Sequence, residues 1–154
     1  MLKAIKKAKL KASGGRYAIV ASEYNDKYVG PMLRAAMAVL KEANAEEIKV
    51  VRVPGAFEIP VVAARLAGAT PSYSALICLG VILRGATTHA QSISDVVSYA
   101  LGTLALQHDL PVIHEVLLLE NEDQARQRCL SKDHNRGAEA AQTAVAMVSL
   151  MKTL

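Results

Sequence analysis

Short, nearly continuous apolar runs alternate along this chain with longer stretches of helical periodicity, and few architectures satisfy that pattern. Residues 17–21, 48–53, 75–79 (running on to Leu83) and 112–118 read as strands. After the first, Met32, Leu33, Ala36, Met37 and Leu40 form a one-sided helical stripe. Pro31 is expected in the first turn of that helix, where its missing N–H does no harm. Pro54-Gly55 ends the second strand, and a helix is expected from Glu58, with Pro60 near its start. Ile93, Val96, Val97, Ala100, Leu101 and Leu104 mark the next helix, and residues 120–130 another. Asn135 is placed to cap a final helix bearing Ala141, Ala144, Val145, Val148 and Met151 on one face. Strands that are apolar throughout and separated by helices belong to a buried parallel sheet covered on both sides. The expectation is an α/β fold of three layers: a four-stranded parallel sheet with helices on both faces.

The chain has 154 residues, enough for one domain that buries roughly two thirds of its unfolded surface. It shows no internal repeat and no low-complexity linker. Its charge of +4 is unevenly placed. Residues 1–15 hold Lys3, Lys6, Lys7, Lys9 and Lys11 and no acid, which leaves 13 basic and 14 acidic residues elsewhere. We divide the chain into a basic N-terminal arm, 1–15, and a single domain, 16–154. The arm reads either as a solvated terminus or as an attractor of anions, RNA or an acidic surface. The body carries no matching basic face, so a nucleic-acid partner is not expected. No stretch has the length of a membrane span, and the N-terminus lacks the apolar core of a secretory signal, so a cytoplasmic protein is expected. Cys78 and Cys129 have no metal-ligand spacing, nor have His108, His114 and His134.

In a parallel α/β sheet, ligands sit beyond the carboxyl ends of the strands. The turn after the first strand holds Tyr24, a flat ring, and Asn25, an amide; from the residues alone an ordinary surface turn with a local Asx bond is the favoured reading. The second turn holds Phe57, the only Phe in the chain, beside Glu58. Glu58 is also well placed for a helix dipole. The third turn places Gly85, Thr87, Thr88 and His89 before a helix, where backbone N–H groups and hydroxyls can hold a phosphate. His89 can carry a proton near neutral pH, although a lone turn histidine is more often a plain surface residue. Further on, Arg128 can bind phosphate bidentately, or can pair with Glu139 across two helices.

These pieces occur together and in order. Ser22-Glu23-Tyr24-Asn25, Val53-Pro54-Gly55-Ala56-Phe57-Glu58-Ile59-Pro60, Leu79-Gly80, Arg84-Gly85-Ala86-Thr87-Thr88-His89, Pro111-Val112, Gln124-Ala125, Arg128 and Asn135-Arg136-Gly137-Ala138-Glu139-Ala140-Ala141 make residues 17–151 resemble the 6,7-dimethyl-8-ribityllumazine synthases. The resemblance implies a flavodoxin-like three-layer sandwich and a step of riboflavin biosynthesis. In that step 5-amino-6-(ribitylamino)uracil condenses with 3,4-dihydroxy-2-butanone 4-phosphate, phosphate is eliminated and the ring closes, with no metal or other cofactor. By position, it implies that Tyr24 stacks on the pyrimidine beside Asn25, and that Ala56, Phe57 and Glu58 hold the ribityl chain and ring. The backbone of Val81, Ile82 and Leu83 would pair with ring polar groups. Gly85, Ala86, Thr87 and Arg128 would bind phosphate, Glu139 would orient Arg128, and His89 would shuttle protons.

The resemblance also implies an assembly. Family members form pentamers with sites between subunits, so His114, Arg128 and Arg136 would come from the adjacent chain. The short spacing from Arg128 to Asn135 implies a 60-subunit icosahedral shell, and riboflavin synthase is a candidate partner, whether enclosed or not being left open by the sequence. The chain departs from the family pattern in places. His114 and Ala90 stand where Phe is usual, and Gln91 where an acid is usual. Leu117-Leu118-Leu119 replaces a run containing Thr, Ala86 often is Glu, and Arg136 often is Lys. These departures keep open an alternative, a non-catalytic shell protein that binds flavin or lumazine.

Overall fold

The computed structural model describes residues 14–154, so the basic arm, up to residue 13, lies outside the described residues. The elements follow in the order β1 (Arg16–Ser22), α1 (Asp26–Glu42), β2 (Glu47–Val53), α2 (Ile59–Ala67), β3 (Ala75–Leu83), α3 (His89–His108), β4 (Val112–Leu119), α4 (Glu122–Cys129) and α5 (Arg136–Met151), with one 3-10 turn, Ala56–Glu58, leading into α2. The four strands form one parallel sheet in the order β2-β1-β3-β4.

Strand alternation sorts the core into two halves. Tyr17, Ile19, Ala21, Ile77, Leu79 and Val81 face α1, α4 and α5. Ala18, Val20, Leu76, Cys78 and Ile82 face α2 and α3. The layers are thus three helices, the sheet and two helices, as expected. β1 and β3 are central and almost wholly buried, while β2 and β4 are edges and only half-buried. Among the described residues no helix is long and apolar enough to cross a membrane.

Pro31 corrects one expectation. α1 starts at Asp26, so Pro31 lies inside the helix, past its first turn. Its ring removes the N–H that would bond the Lys27 carbonyl. The helix starts early because Asn25 takes a left-handed conformation (φ 59°), and its carbonyl accepts from the N–H groups of Tyr28 and Val29. At α5, Asn135 Oδ1 accepts from the N–H groups of Gly137 and Ala138, which is the expected cap. Just inside that cap α5 crosses α1 backbone to backbone. A Cβ on Gly137 would lie 2.0 Å from the Met32 carbonyl oxygen.

Candidate active site

The strand order creates the site. From β1 the chain leaves toward β2 through α1 on one face, and from β3 it leaves toward β4 through α3 on the other. The connections diverge at the carboxyl ends of β1 and β3, the switch point where such sheets open a crevice. A cavity of about 810 Å³ lies there. It is lined by Tyr24, Asn25, Gly55, Ala56, Phe57, Glu58, Val81, Ile82, Leu83, Gly85, Thr87 and His89, with Ala90, Ser92, Ile93 and Val96 from α3. Ala86 belongs to the same loop but is not among the lining residues.

Register explains why β3 forms the floor. β1 pairs with β3 only as far as Ala21 opposite Leu79, whereas β4 stays paired to Leu83. β1 ends at Ser22, level with Gly80, so residues 81–83 overhang its end. The Arg84 N–H points to β4, where it donates to the Leu119 carbonyl, so by alternation the backbone groups of Val81 and Leu83 face the cavity. Asn25 Nδ2 already donates to the Val81 carbonyl at 2.8 Å. This long-range bond replaces the local Asx bond considered for Asn25.

The first two loops are tied to each other, since the Glu23 and Tyr24 N–H groups donate to the Val53 and Pro54 carbonyls. Both carry exposed rings: Tyr24 is 73% and Phe57 57% solvent-accessible. Aromatic rings left this bare at a cavity mouth call for a cover, from a ligand or from another chain. Glu58 folds back over the preceding turn, and a Cβ on Gly55 would sit 2.9 Å from its Oε2.

His89 is the first residue of α3, and its N–H donates to Thr87 Oγ1 at 3.4 Å. The N-cap Thr88 makes no side-chain capping bond, so the next N–H groups, of Ala90 and Gln91, remain open to an anion. Gln91, in the position where an acid is usual, does not turn to His89. Its Oε1 accepts from Arg84 and its Nε2 donates to Asp95.

The remaining expected residues lie elsewhere on the chain. Arg128, Arg136 and Glu139 line a second cavity, of about 300 Å³, with Gln127, Ser131 and His134. Glu139 was expected to orient Arg128; in this chain its ion pair is with Arg136, at 3.0 Å. Arg128 makes no ion pair among the described residues. His114 lines neither cavity. Its Nδ1 accepts from the Val116 N–H at 3.1 Å, which leaves Nε2 to donate to Ser98 Oγ at 2.7 Å. That pair of bonds selects the neutral ring, and partial desolvation against α3 lowers its pKa in the same sense, with a backbone hydrogen bond opposing it.

Sequence reasoning passed over Glu115. It is the other polar residue in the apolar β4 run, and it faces α5 where His114 faces α3. Burial raises its carboxyl to about 7; Arg136 opposes that rise and Glu139 adds to it. The two thiols are buried and pushed up to about 12 (Cys78) and about 11 (Cys129), which makes both poor nucleophiles. Among the described residues no group of three or more His, Cys, Asp or Glu could hold a metal ion.

A sequence profile described as 6,7-dimethyl-8-ribityllumazine synthase matches residues 14–152. Two proteins of that description, from strains of Clostridium kluyveri, are each 38% identical to this chain over 148 residues, covering 95% of this chain and 96% of the relative. With this match over nearly the whole length, the chain belongs to the 6,7-dimethyl-8-ribityllumazine synthase family.

Proposed function

We propose that this chain condenses 5-amino-6-(ribitylamino)uracil with 3,4-dihydroxy-2-butanone 4-phosphate to give 6,7-dimethyl-8-ribityllumazine. The observation that carries the reading is the cavity at the switch point, whose lining joins Tyr24, Phe57 and Glu58 to Gly85, Thr87 and His89. The pyrimidine lies against Tyr24 and pairs with the overhanging backbone of residues 81–83. The ribityl chain follows Ala56, Phe57 and Glu58. The phosphate sits at the open N-terminus of α3 with Gly85 and Thr87.

The amine attacks the ketone carbonyl and water leaves to form the imine. Phosphate is then eliminated, and the second amine closes the ring with loss of another water. His89 moves the protons these steps require, a role worth about 10²–10⁴-fold. Holding both substrates in one crevice contributes the entropic part of the acceleration.

Arg128, Arg136 and Glu139 lie on a different cavity of the same chain, which supports a site completed by a neighbour in a homo-oligomer. The exposed apolar side chains Val96, Tyr99 and Leu106 of α3 give such a neighbour a surface to cover. We assign a pentamer and, from the six-residue link between α4 and α5, a 60-subunit shell in the cytoplasm, with riboflavin synthase as the candidate partner.

The test is lumazine formation, followed by absorbance, from the two purified substrates. Turnover in the parent, and its loss by about 10²-fold or more in His89→Ala with pyrimidine binding retained, is the expected result. Binding of lumazine without turnover in the parent would favour the non-catalytic shell protein instead. Analytical ultracentrifugation showing only a pentamer would refute the shell.

A further inference from the structure

The loop that carries Gly85, Thr87 and His89 has almost nothing packed against it. Residues 85–89 are all exposed, and a Cβ built on Gly85 meets no atom within 4 Å. Its position is therefore set at its ends. At one end the Arg84 N–H donates to the Leu119 carbonyl, and Arg84 Nε donates to Glu120 Oε1 at 2.9 Å. From the same guanidinium, Nη2 reaches across the base of the loop to Gln91 Oε1, also at 2.9 Å, in the first turn of α3. Gln91 Nε2 then donates to Asp95 Oδ1, one turn further along, at 2.7 Å.

We propose that Arg84 and Gln91 are positioning residues that hold the 84–89 loop, and with it His89 and the phosphate seat, through the chain Glu120–Arg84–Gln91–Asp95. This rests on the reading of the site given above. An amide suits position 91 because its two ends differ: the carbonyl accepts from Arg84 and the NH₂ donates to Asp95. A carboxylate there would keep the Arg84 bond but would face Asp95 as a like charge four residues along the helix.

The variants are Gln91→Met, which removes both bonds at similar volume, and Gln91→Glu, which keeps one. Amide hydrogen exchange of the 84–89 segment, read by mass spectrometry on the assembled protein, is expected to quicken in Gln91→Met while the rest of the chain is unchanged. In turnover, kcat is expected to fall about tenfold to a hundredfold. KM for the ketone phosphate rises in Gln91→Met and less in Gln91→Glu, which keeps the Arg84 bond, and KM for the pyrimidine stays put. Inorganic phosphate, as a competitive inhibitor, should weaken in parallel with the ketone phosphate. Unaltered exchange in Gln91→Met overturns the proposal, and so does a rise of both KM values together, which is what a general loosening would give. His89→Ala run alongside separates the two readings. Full turnover there removes His89 as proton carrier, while the exchange measurement still decides whether Gln91 tethers the loop.

Discussion

Gly137→Ala sets two effects of opposite sign against each other. By backbone propensity the change stabilises, because alanine loses less freedom on folding than glycine, by about 0.5–1 kcal/mol in a helix. By packing it destabilises. The added Cβ would lie 2.0 Å from the Met32 carbonyl oxygen and 2.5 Å from Met32 C and Cα. These are backbone atoms of α1, so no side chain can swing away. Ordinary contact begins at 3.4 Å, so the new Cβ and the Met32 oxygen must part by about 1.4 Å. A gap of that size forfeits about half or more of each dispersion contact it opens. The strain and backbone shifts of overpacking typically cost about 1–3 kcal/mol and can cost more. Because only backbone can yield here, we expect the upper part of that range, and a net loss of about 2 kcal/mol after the propensity gain. For a chain of this size that lowers Tm by about 4–8 °C. α5 also carries Arg136 and Glu139, so the shift reaches the second cavity. Thermal unfolding by circular dichroism, at matched protein concentration because assembly adds stability by mass action, reads the effect. A Tm equal to or above that of the parent would show that the α1–α5 crossing yields, and would refute the reasoning.

Two further substitutions test the electrostatics and the cavity floor. The Glu115 carboxyl is raised to about 7 from an ordinary 4.5, so between those values the native state keeps a proton that the unfolded chain has lost. Stability therefore falls as pH rises through that window. Glu115→Gln removes the effect, and is expected to stabilise by about 1–2 kcal/mol at pH 8, discounted for residual exposure, and by almost nothing at pH 4. Urea unfolding at the two pH values checks this, and an equal gain at both would sink it. Asn25→Ala loses the bond to the Val81 carbonyl and puts alanine in a left-handed conformation, together costing about 2 kcal/mol. It should raise KM for the pyrimidine more than for the ketone phosphate, and equal rises would argue against Asn25 as a support of the β3 overhang.

What could be read along the chain was whatever depends on near neighbours in sequence. The apolar runs and helical stripes located the strands and helices, because burial on both faces and the 3.6-residue period leave a local trace. The strand-end loops located Tyr24, Phe57, Thr87 and His89, because in a parallel sheet every strand ends on the same side. The run from Asn135 to Ala141 carried both the cap of α5 and the glycine at its crossing. Even here Pro31 misled, since the left-handed start at Asn25 that lengthens α1 has no periodic signature.

The tertiary structure decided what depends on partners distant in sequence. The strand order β2-β1-β3-β4 set the switch point and left residues 81–83 overhanging β1. It turned Asn25 to Val81 and His114 to Ser98, and it put Arg128 on a different cavity from His89. It also anchored Arg84 to Glu120, on the far side of α3 in the sequence, and from that anchor Arg84 reaches Gln91, which had stood out only as a departure from the family pattern. A hydrogen bond needs two groups within about 3 Å in a particular direction. Sequence shows that each group exists, but only the packing of the layers decides which of them meet.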